Sequence, residues 1–180
     1  MKMKTWFSSD THFGHDNIRK YANRPFKTLL DMDTKLISNF NERIKPDDQV
    51  FFLGDFCFRN TKGGKVGEGT THNAQFYQKM LNGHWTFIRG NHDNNNSLNT
   101  KIESVVINFG GGEIFLCHKP HDANPDYKIN LVGHVHELWK FKKLTNKSYM
   151  INVGVDVWKY MPISYDEIMK EFNKWLKNDQ

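Results

Sequence analysis

Hydrophobic residues occur along this chain in short continuous runs, and most of these runs stop at glycine or at a polar residue. Val50–Leu53 is one such run, and it ends at Gly54 and Asp55. A continuous apolar run of this length is typical of a strand that is buried on both faces. The same pattern predicts an opening strand and five later ones: Met3–Ser8, Trp85–Ile88, Ser104–Asn108, Glu113–Cys117, Ile129–Val132 and Tyr149–Val153.

Helical spacing of apolar residues appears in three places. Asp31–Arg43 predicts a helix with one apolar face, which ends before Pro46. Asn73–Leu81 predicts a short helix, and Ser164–Lys177 a final helix that opens with a Ser-x-x-Glu capping box. The polar, glycine-rich stretch Asn60–Asn73 predicts a loop, and the sequence does not tell whether it closes over a substrate.

Strands and helices are therefore mixed through the chain, which indicates a layered α/β fold. The chain has 180 residues, of which 38% are hydrophobic, and it shows no internal repeat or linker. We expect a single domain covering residues 1–180.

The two cysteines and the absence of long apolar segments indicate the cellular compartment in which the protein is expected. Cys57 and Cys117 lie in apolar stretches, where we expect buried free thiols rather than a disulfide. No stretch has the length of a membrane span or the form of a signal peptide. A cytoplasmic protein without membrane contact is the prediction.

The net charge of +5 favours acidic partners such as phosphates. The 25 basic residues are scattered and form no stripe, so the charge alone does not establish nucleic acid as a partner. A nucleotide or a nucleic acid stays open as the substrate, and the oligomeric state leaves no trace in the sequence.

Polar residues able to bind metal follow five of the predicted strands: Asp10, Asp55, Asn91, His118 and His134. Ligand sites of layered α/β folds gather at the carboxyl ends of strands, so we expect these side chains to lie close together. Taken singly, each residue also has an explanation without a metal. Asp10 and Asn91 suit turns, and Asp55 suits the start of a loop. His118 would be a hydrogen-bonded core histidine, and His134 a surface histidine.

Taken together, the patches are far more specific. The order is Asp-x-His at 10–12, Gly-Asp at 54–55, Gly-Asn-His-Asp at 90–93, His118, and Gly-His-x-His at 133–136. In this order the chain resembles the calcineurin-like metallophosphoesterases. The resemblance implies a four-layer α/β/β/α sandwich of two mixed sheets flanked by helices.

The resemblance also implies two divalent cations. Asp10, His12 and His136 would hold the first; Asn91, His118 and His134 would hold the second; Asp55 would bridge them. A ligand set of carboxylates and imidazoles without cysteine suits Mn²⁺, Fe, Ni²⁺ or Zn²⁺, and we expect Mn²⁺. Two carboxylates against four positive charges leave a net positive site that attracts a phosphate.

The implied reaction is in-line attack on phosphorus by a hydroxide that bridges the two metals. His92 is not a ligand in the family, and it would protonate the leaving oxygen or stabilise its charge. The alternative role for His92 is to position a phosphate oxygen.

Several neighbouring residues are weaker candidates. Protein serine/threonine phosphatases carry Gly-Asp-x-x-Asp-Arg. Phe58 stands here in place of the second aspartate, which argues against protein phosphatase activity.

Arg59 corresponds to the arginine that binds phosphate in those enzymes. It is therefore either a substrate-binding residue or an ordinary surface residue. His15 is a second candidate for substrate contact. Asp156 and Trp158 are candidate substrate contacts or parts of a turn, and the segment Arg24-Pro25-Phe26 is a substrate-facing corner or a plain turn.

No inserted cap domain is evident, so we expect an open cleft and, by analogy with small relatives, a phosphodiester substrate. The rivals are a nucleotide or phosphomonoester phosphatase and a nuclease. A non-catalytic scaffold of the same fold is the remaining alternative, and the complete set of ligands argues against it.

Overall fold

A computed structural model of the protein describes residues 3–58, 72–93 and 97–178. The helices within these ranges are α1 Ile18–Tyr21, α2 Leu29–Arg43, α3 Ala74–Met80 and α4 Tyr165–Asn178. The strands are β1 Thr5–Ser8, β2 Gln49–Leu53, β3 His84–Ile88, β4 Ser104–Phe109, β5 Gly112–Cys117, β6 Ile129–Val132, β7 Phe141–Lys143, β8 Tyr149–Asn152 and β9 Ile163–Ser164.

The strands form two sheets. The first has the order β3-β2-β1-β9, in which β1, β2 and β3 are parallel and β9 is antiparallel to β1. The second has the order β4-β5-β6-β8-β7, with parallel β5, β6 and β8 between antiparallel outer strands. Both sheets are mixed, and the predicted fold class is confirmed.

Side chains of the central strands alternate between two apolar layers, as the period of a strand requires. On β1, Phe7 points into the layer between the sheets, together with Leu53, Leu116 and Leu131. The neighbouring Trp6 lies on the other face of the first sheet, where α1, α2 and α3 also contribute buried residues. The helix α4 contributes Ile168 and Phe172 to the layer between the sheets.

The outer face of the second sheet has a small apolar cluster of its own. Cys117, Val132 and Met150 are buried there, and Trp139 and Leu144 from the connecting segments pack against them. Over this face the described residues include a single-turn 3₁₀ helix, Pro120–Asp122, rather than a long helix. The end residues of β5 and β6, Cys117 and Val132, are nevertheless fully buried.

The predicted strands and helices are present, with shifted ends and some additions. The helix α2 begins earlier than predicted because Thr28 and Asp31 form a capping box at its start. The predicted capping box of α4 is confirmed, with the Ser164 amide donating to Glu167 at 3.1 Å. The short elements α1, β7 and β9 were not predicted. Residues 60–71, most of the predicted loop, lie outside the described residues.

Both cysteines are buried and neither forms a disulfide, as predicted. Among the described helices, none combines the length and the apolar character that crossing a membrane requires. The cytoplasmic location and the single-domain organisation stay predictions.

Candidate metal centre

The five motif segments meet at one edge of the sandwich, beyond the ends of the strands. Backbone hydrogen bonds join them there: the Asp10 amide donates to Gly54 at 3.0 Å, and the Gly133 amide donates to His118 at 2.9 Å. A bridge between Ser9 and Gly154 connects the first sheet to the segment after β8. The loops that carry the candidate ligands are therefore held by main-chain contacts.

The structure brings the predicted ligands together in two groups. Asp10, His12 and His136 form one group, and Asp55, His118 and His134 form the other; within each, the candidate ligand atoms lie within 4.8 Å of one another. Asn91 adjoins the second group, since its Oδ1 is 3.0 Å from Nε2 of His118.

Asp55 lies between the two groups. Its Oδ2 is 3.5 Å from Nε2 of His12 in the first group and 3.4 Å from Nε2 of His118 in the second. A carboxylate in this place can share its oxygens between two cations, as the sequence predicted for this residue.

The histidine rings are oriented as metal ligands usually are. Nδ1 of His118 donates to the Leu53 carbonyl at 2.7 Å, and Nδ1 of His136 lies 2.8 Å from the Asp156 carboxylate. Such contacts fix the tautomer and leave Nε2 available to a metal. Nε2 of His12 is buried without a hydrogen-bond partner in the described structure, which a cation would supply. The donor set therefore fits a pair of divalent cations.

Electrostatics at the centre favour positive charge. Burial would lower the pKa of His118, but its hydrogen bond with Asp55 and the charges of Asp10 and Asp55 raise that pKa to about 9. Burial would raise the pKa of Asp55, yet His118 and His12 hold it below its usual range. The negative charges of Asp10 and Asp55 thus stabilise positive charge at His118, which a metal ion would supply in place of a proton.

Asp93 positions Asp55 from behind. The buried Asp93 carboxylate accepts the amides of Asp55 at 2.8 Å, Phe56 at 3.1 Å and Gly90 at 2.8 Å. The His92 amide in turn donates to Oδ1 of Asp55 at 2.9 Å. The sequence did not indicate that Asp93 positions Asp55, because an aspartate after Gly-Asn-His is also typical of a turn.

Gly90 is required by the close approach of these two segments. A Cβ atom on Gly90 would overlap Oδ1 and the backbone nitrogen of Asp55. Any other residue at position 90 would therefore displace the carboxylate that lies between the two groups.

Arg24 and Asp156 form a second support, behind the first group. Their side chains are 0% and 1% exposed, and the guanidinium binds both carboxylate oxygens, at 2.8 and 3.0 Å. Arg24 also donates to the backbone carbonyls of Asp10 at 2.6 Å and Thr11 at 2.9 Å. Neither side chain faces solvent. Asp156 lies in the single-turn 3₁₀ helix Val155–Val157, and Arg24 forms a buried ion pair, which neither of its two alternatives described. Trp158 is also buried, and its ring nitrogen donates to Asn152.

His92 and His15 both lie beside His12, the first exposed and the second buried. The His92 ring is exposed and its centroid is 5.3 Å from that of His12. His15 is buried, with Nδ1 3.4 Å from Nδ1 of His12, and its ring stacks on Phe58 at 4.1 Å. Phe58 thus packs on a histidine where related phosphatases carry a carboxylate. The candidate Arg59 lies outside the described residues.

Five of the candidate ligands have a left-handed backbone. The φ angles lie between 48° and 72° for Asp10, His12, Asp55, His134 and His136. This region is sparsely populated by residues other than glycine, and each occurrence costs on the order of 1 kcal/mol or more. Backbone strain of this kind clusters at functional sites.

Asp156→Asn is expected to weaken metal binding 10- to 100-fold, because His136 loses the carboxylate that orients its ring and Arg24 loses its counter-charge. Titration calorimetry with Mn²⁺ would measure the change. The control is Asp126→Asn, at an exposed aspartate away from the centre. Metal affinity equal to that of the unmodified protein would contradict this function for Asp156.

Comparisons with known proteins agree with this geometry. The family model of the calcineurin-like phosphoesterase superfamily domain matches residues 3–160. An uncharacterized protein of Methanocaldococcus jannaschii is 36% identical over 178 residues, covering 95% of this chain and 92% of that protein. The gene 66 protein of Mycobacterium phage L5 is 24% identical, covering 91% of each chain.

A solved structure extends the likeness to three dimensions. The crystal structure of AQ665, a protein of unknown function from Aquifex aeolicus, superposes with a TM-score of 0.69 at 25% identity. It covers 94% of this chain and 99% of its own length. With the family model matched over 158 residues that include all the motif positions, the chain belongs to the calcineurin-like phosphoesterase superfamily.

Proposed function

We propose that this protein hydrolyses phosphate esters, preferentially phosphodiesters, with two divalent cations. One observation carries the proposal: a single oxygen of Asp55 lies within 3.5 Å of a histidine from each ligand group. The family assignment and the complete set of candidate ligands support catalysis rather than a scaffold function.

The first cation would be held by Asp10, His12 and His136, and the second by Asn91, His118 and His134, with Asp55 shared. When bound, the cations would polarise the phosphate oxygens and lower the pKa of a water molecule. The combination of carboxylate, amide and imidazole ligands is compatible with Mn²⁺, and Fe, Ni²⁺ and Zn²⁺ are the alternatives.

The chain itself supplies orientation and a proton. Asp93 fixes the Asp55 backbone, and the His92 amide fixes the Asp55 carboxylate. Asp156 orients His136, and its partner Arg24 holds the Asp10 backbone carbonyl. His92 is exposed beside His12, and we propose that it donates a proton to the leaving oxygen. His15, against His12 and Phe58, would contact the substrate from the same side.

A diester is favoured because the centre is accessible. His92 is exposed, and His134 and His136 are partly exposed, so organic groups on both sides of the phosphorus have room to extend. A phosphomonoester carries a single organic group, so a phosphomonoester or nucleotide phosphatase would need room on only one side of the phosphorus.

The test is hydrolysis of bis-p-nitrophenyl phosphate and p-nitrophenyl phosphate by protein loaded with Mn²⁺. We expect kcat/KM for the diester to exceed that for the monoester by about tenfold or more. A preference for the monoester would overturn the diester assignment. Absence of hydrolysis of both esters with each of the four metals would overturn the enzyme assignment.

A further inference from the structure

A cavity of about 400 Å³ opens beside the candidate metal centre. Its walls come from four segments: the residues after β3, the start of β4, strand β5, and the 3₁₀ helix that follows β5. The volume is in the range of pockets that bind small molecules. None of the functions described so far uses this cavity.

The cavity is continuous with the metal centre. Asn91 and His118, which belong to or adjoin the second ligand group, also line it. A phosphate held at the centre would therefore lie next to this space. One ester group of a diester is within reach of the cavity.

The lining is polar and carries both signs of charge. Arg89 and Lys119 are cationic donors, Glu103 and Asp122 are anionic acceptors, and Ser104 provides a hydroxyl. The opposite charges balance, so the lining does not select a highly charged group. It suits a neutral group with several hydrogen-bond donors and acceptors of its own.

Two features allow these side chains to bind a ligand. The Arg89–Glu103 pair and the His121–Asp122 pair, at 3.3 Å, lie at the surface, where ion pairs are weak and exchange partners readily. Phe115 adds a partly buried aromatic ring to the lining, against which an organic group can pack.

We propose that this cavity is a nucleoside subsite and that the substrate is a nucleoside phosphodiester. A nucleoside offers hydroxyl groups to the carboxylates, base edges to the cationic donors, and a flat ring to Phe115. The inference rests on the proposed function, since it assumes a phosphate bound at the metal centre.

The experiment compares two substrates that share a leaving group: thymidine 5′-(p-nitrophenyl phosphate) and phenyl p-nitrophenyl phosphate. The second keeps an aromatic group but lacks the hydrogen-bonding groups. We expect kcat/KM for the thymidine diester to be higher by about tenfold or more. Lys119→Met and the cavity-filling Ser104→Trp should reduce this ratio to near one, whereas Lys174→Ala, on the exposed face of α4, should keep it.

A second readout does not depend on catalysis. Thymidine is titrated into EDTA-dialysed protein and followed by amide chemical shifts, which we expect to change at Ser104, Phe115 and Lys119. The Ser104→Trp variant should lose these shifts.

The outcomes separate the two proposals. Hydrolysis of both diesters at equal rates, with no thymidine shifts, would overturn the nucleoside subsite and leave the phosphodiesterase function in place. Absence of hydrolysis of every diester would overturn the proposed function, and shifts unaffected by Ser104→Trp would place the nucleoside elsewhere.

Discussion

Asp55→Asn is expected to lose at least one of the two metals and to lower kcat/KM for a diester by about a thousandfold or more. Asparagine has nearly the same size and can still accept the His92 amide, but it carries no charge to share between two cations. Elemental analysis after gel filtration would give the metal content, and bis-p-nitrophenyl phosphate would give the rate.

The matched control is Asp47→Asn, the same substitution at an exposed aspartate before β2. Circular dichroism of both variants should be that of the unmodified protein, which separates loss of metal from loss of fold. If the Asp55→Asn variant kept two bound metals and the full rate, the proposal that this carboxylate is shared between two cations would be contradicted.

His92→Ala should keep both metals but lower kcat by on the order of a hundredfold. The ring is exposed and belongs to neither ligand group, so its removal leaves the candidate ligands intact. If His92 protonates the leaving oxygen, the deficit should be greatest for an alkoxide leaving group. It should be smallest for p-nitrophenolate, which departs without a proton.

Comparison of methyl and p-nitrophenyl leaving groups therefore distinguishes proton donation from positioning of a phosphate oxygen. A positioning residue would lower both rates by the same factor. The control is His84→Ala, at an exposed histidine that opens β3. An unchanged kcat in His92→Ala would remove this residue from the mechanism.

The candidate ligands could be found in the sequence because each lies in a local motif next to an apolar strand. Asp10, Asp55 and His134 follow runs whose length and composition already predict strands. The parallel register then brings the ends of β1, β2 and β3 to one edge, with Ser8 beside Phe52 and Leu53 beside Ile88. Local pattern and sheet geometry indicate that these residues lie close together, and the resemblance to the family supplied their assignment as ligands.

The groups that orient the ligands could not be found in this way. Arg24 and Asp156 are 132 positions apart, and neither lies in a pattern that predicts burial. Arg24 precedes a proline, which favours a turn, and only the folded chain shows that its guanidinium is enclosed. A buried ion pair between distant segments is a property of tertiary structure.

Short elements were missed for a related reason. The strand β9 has two residues, and its pairing with β1 rather than its own composition defines it. The strand β7 contains two lysines in three residues, so its sequence has little apolar character. Edge strands of this kind depend on the neighbour that they join.

The left-handed backbone at five ligand positions implies a trade-off between stability and activity. Glycine would adopt those φ angles without strain, so a chain selected for stability alone would gain from glycine at these positions. Histidine and aspartate are present there instead, and the rest of the fold compensates for the cost. The backbone strain is thus concentrated at the residues whose side chains the candidate metal centre requires.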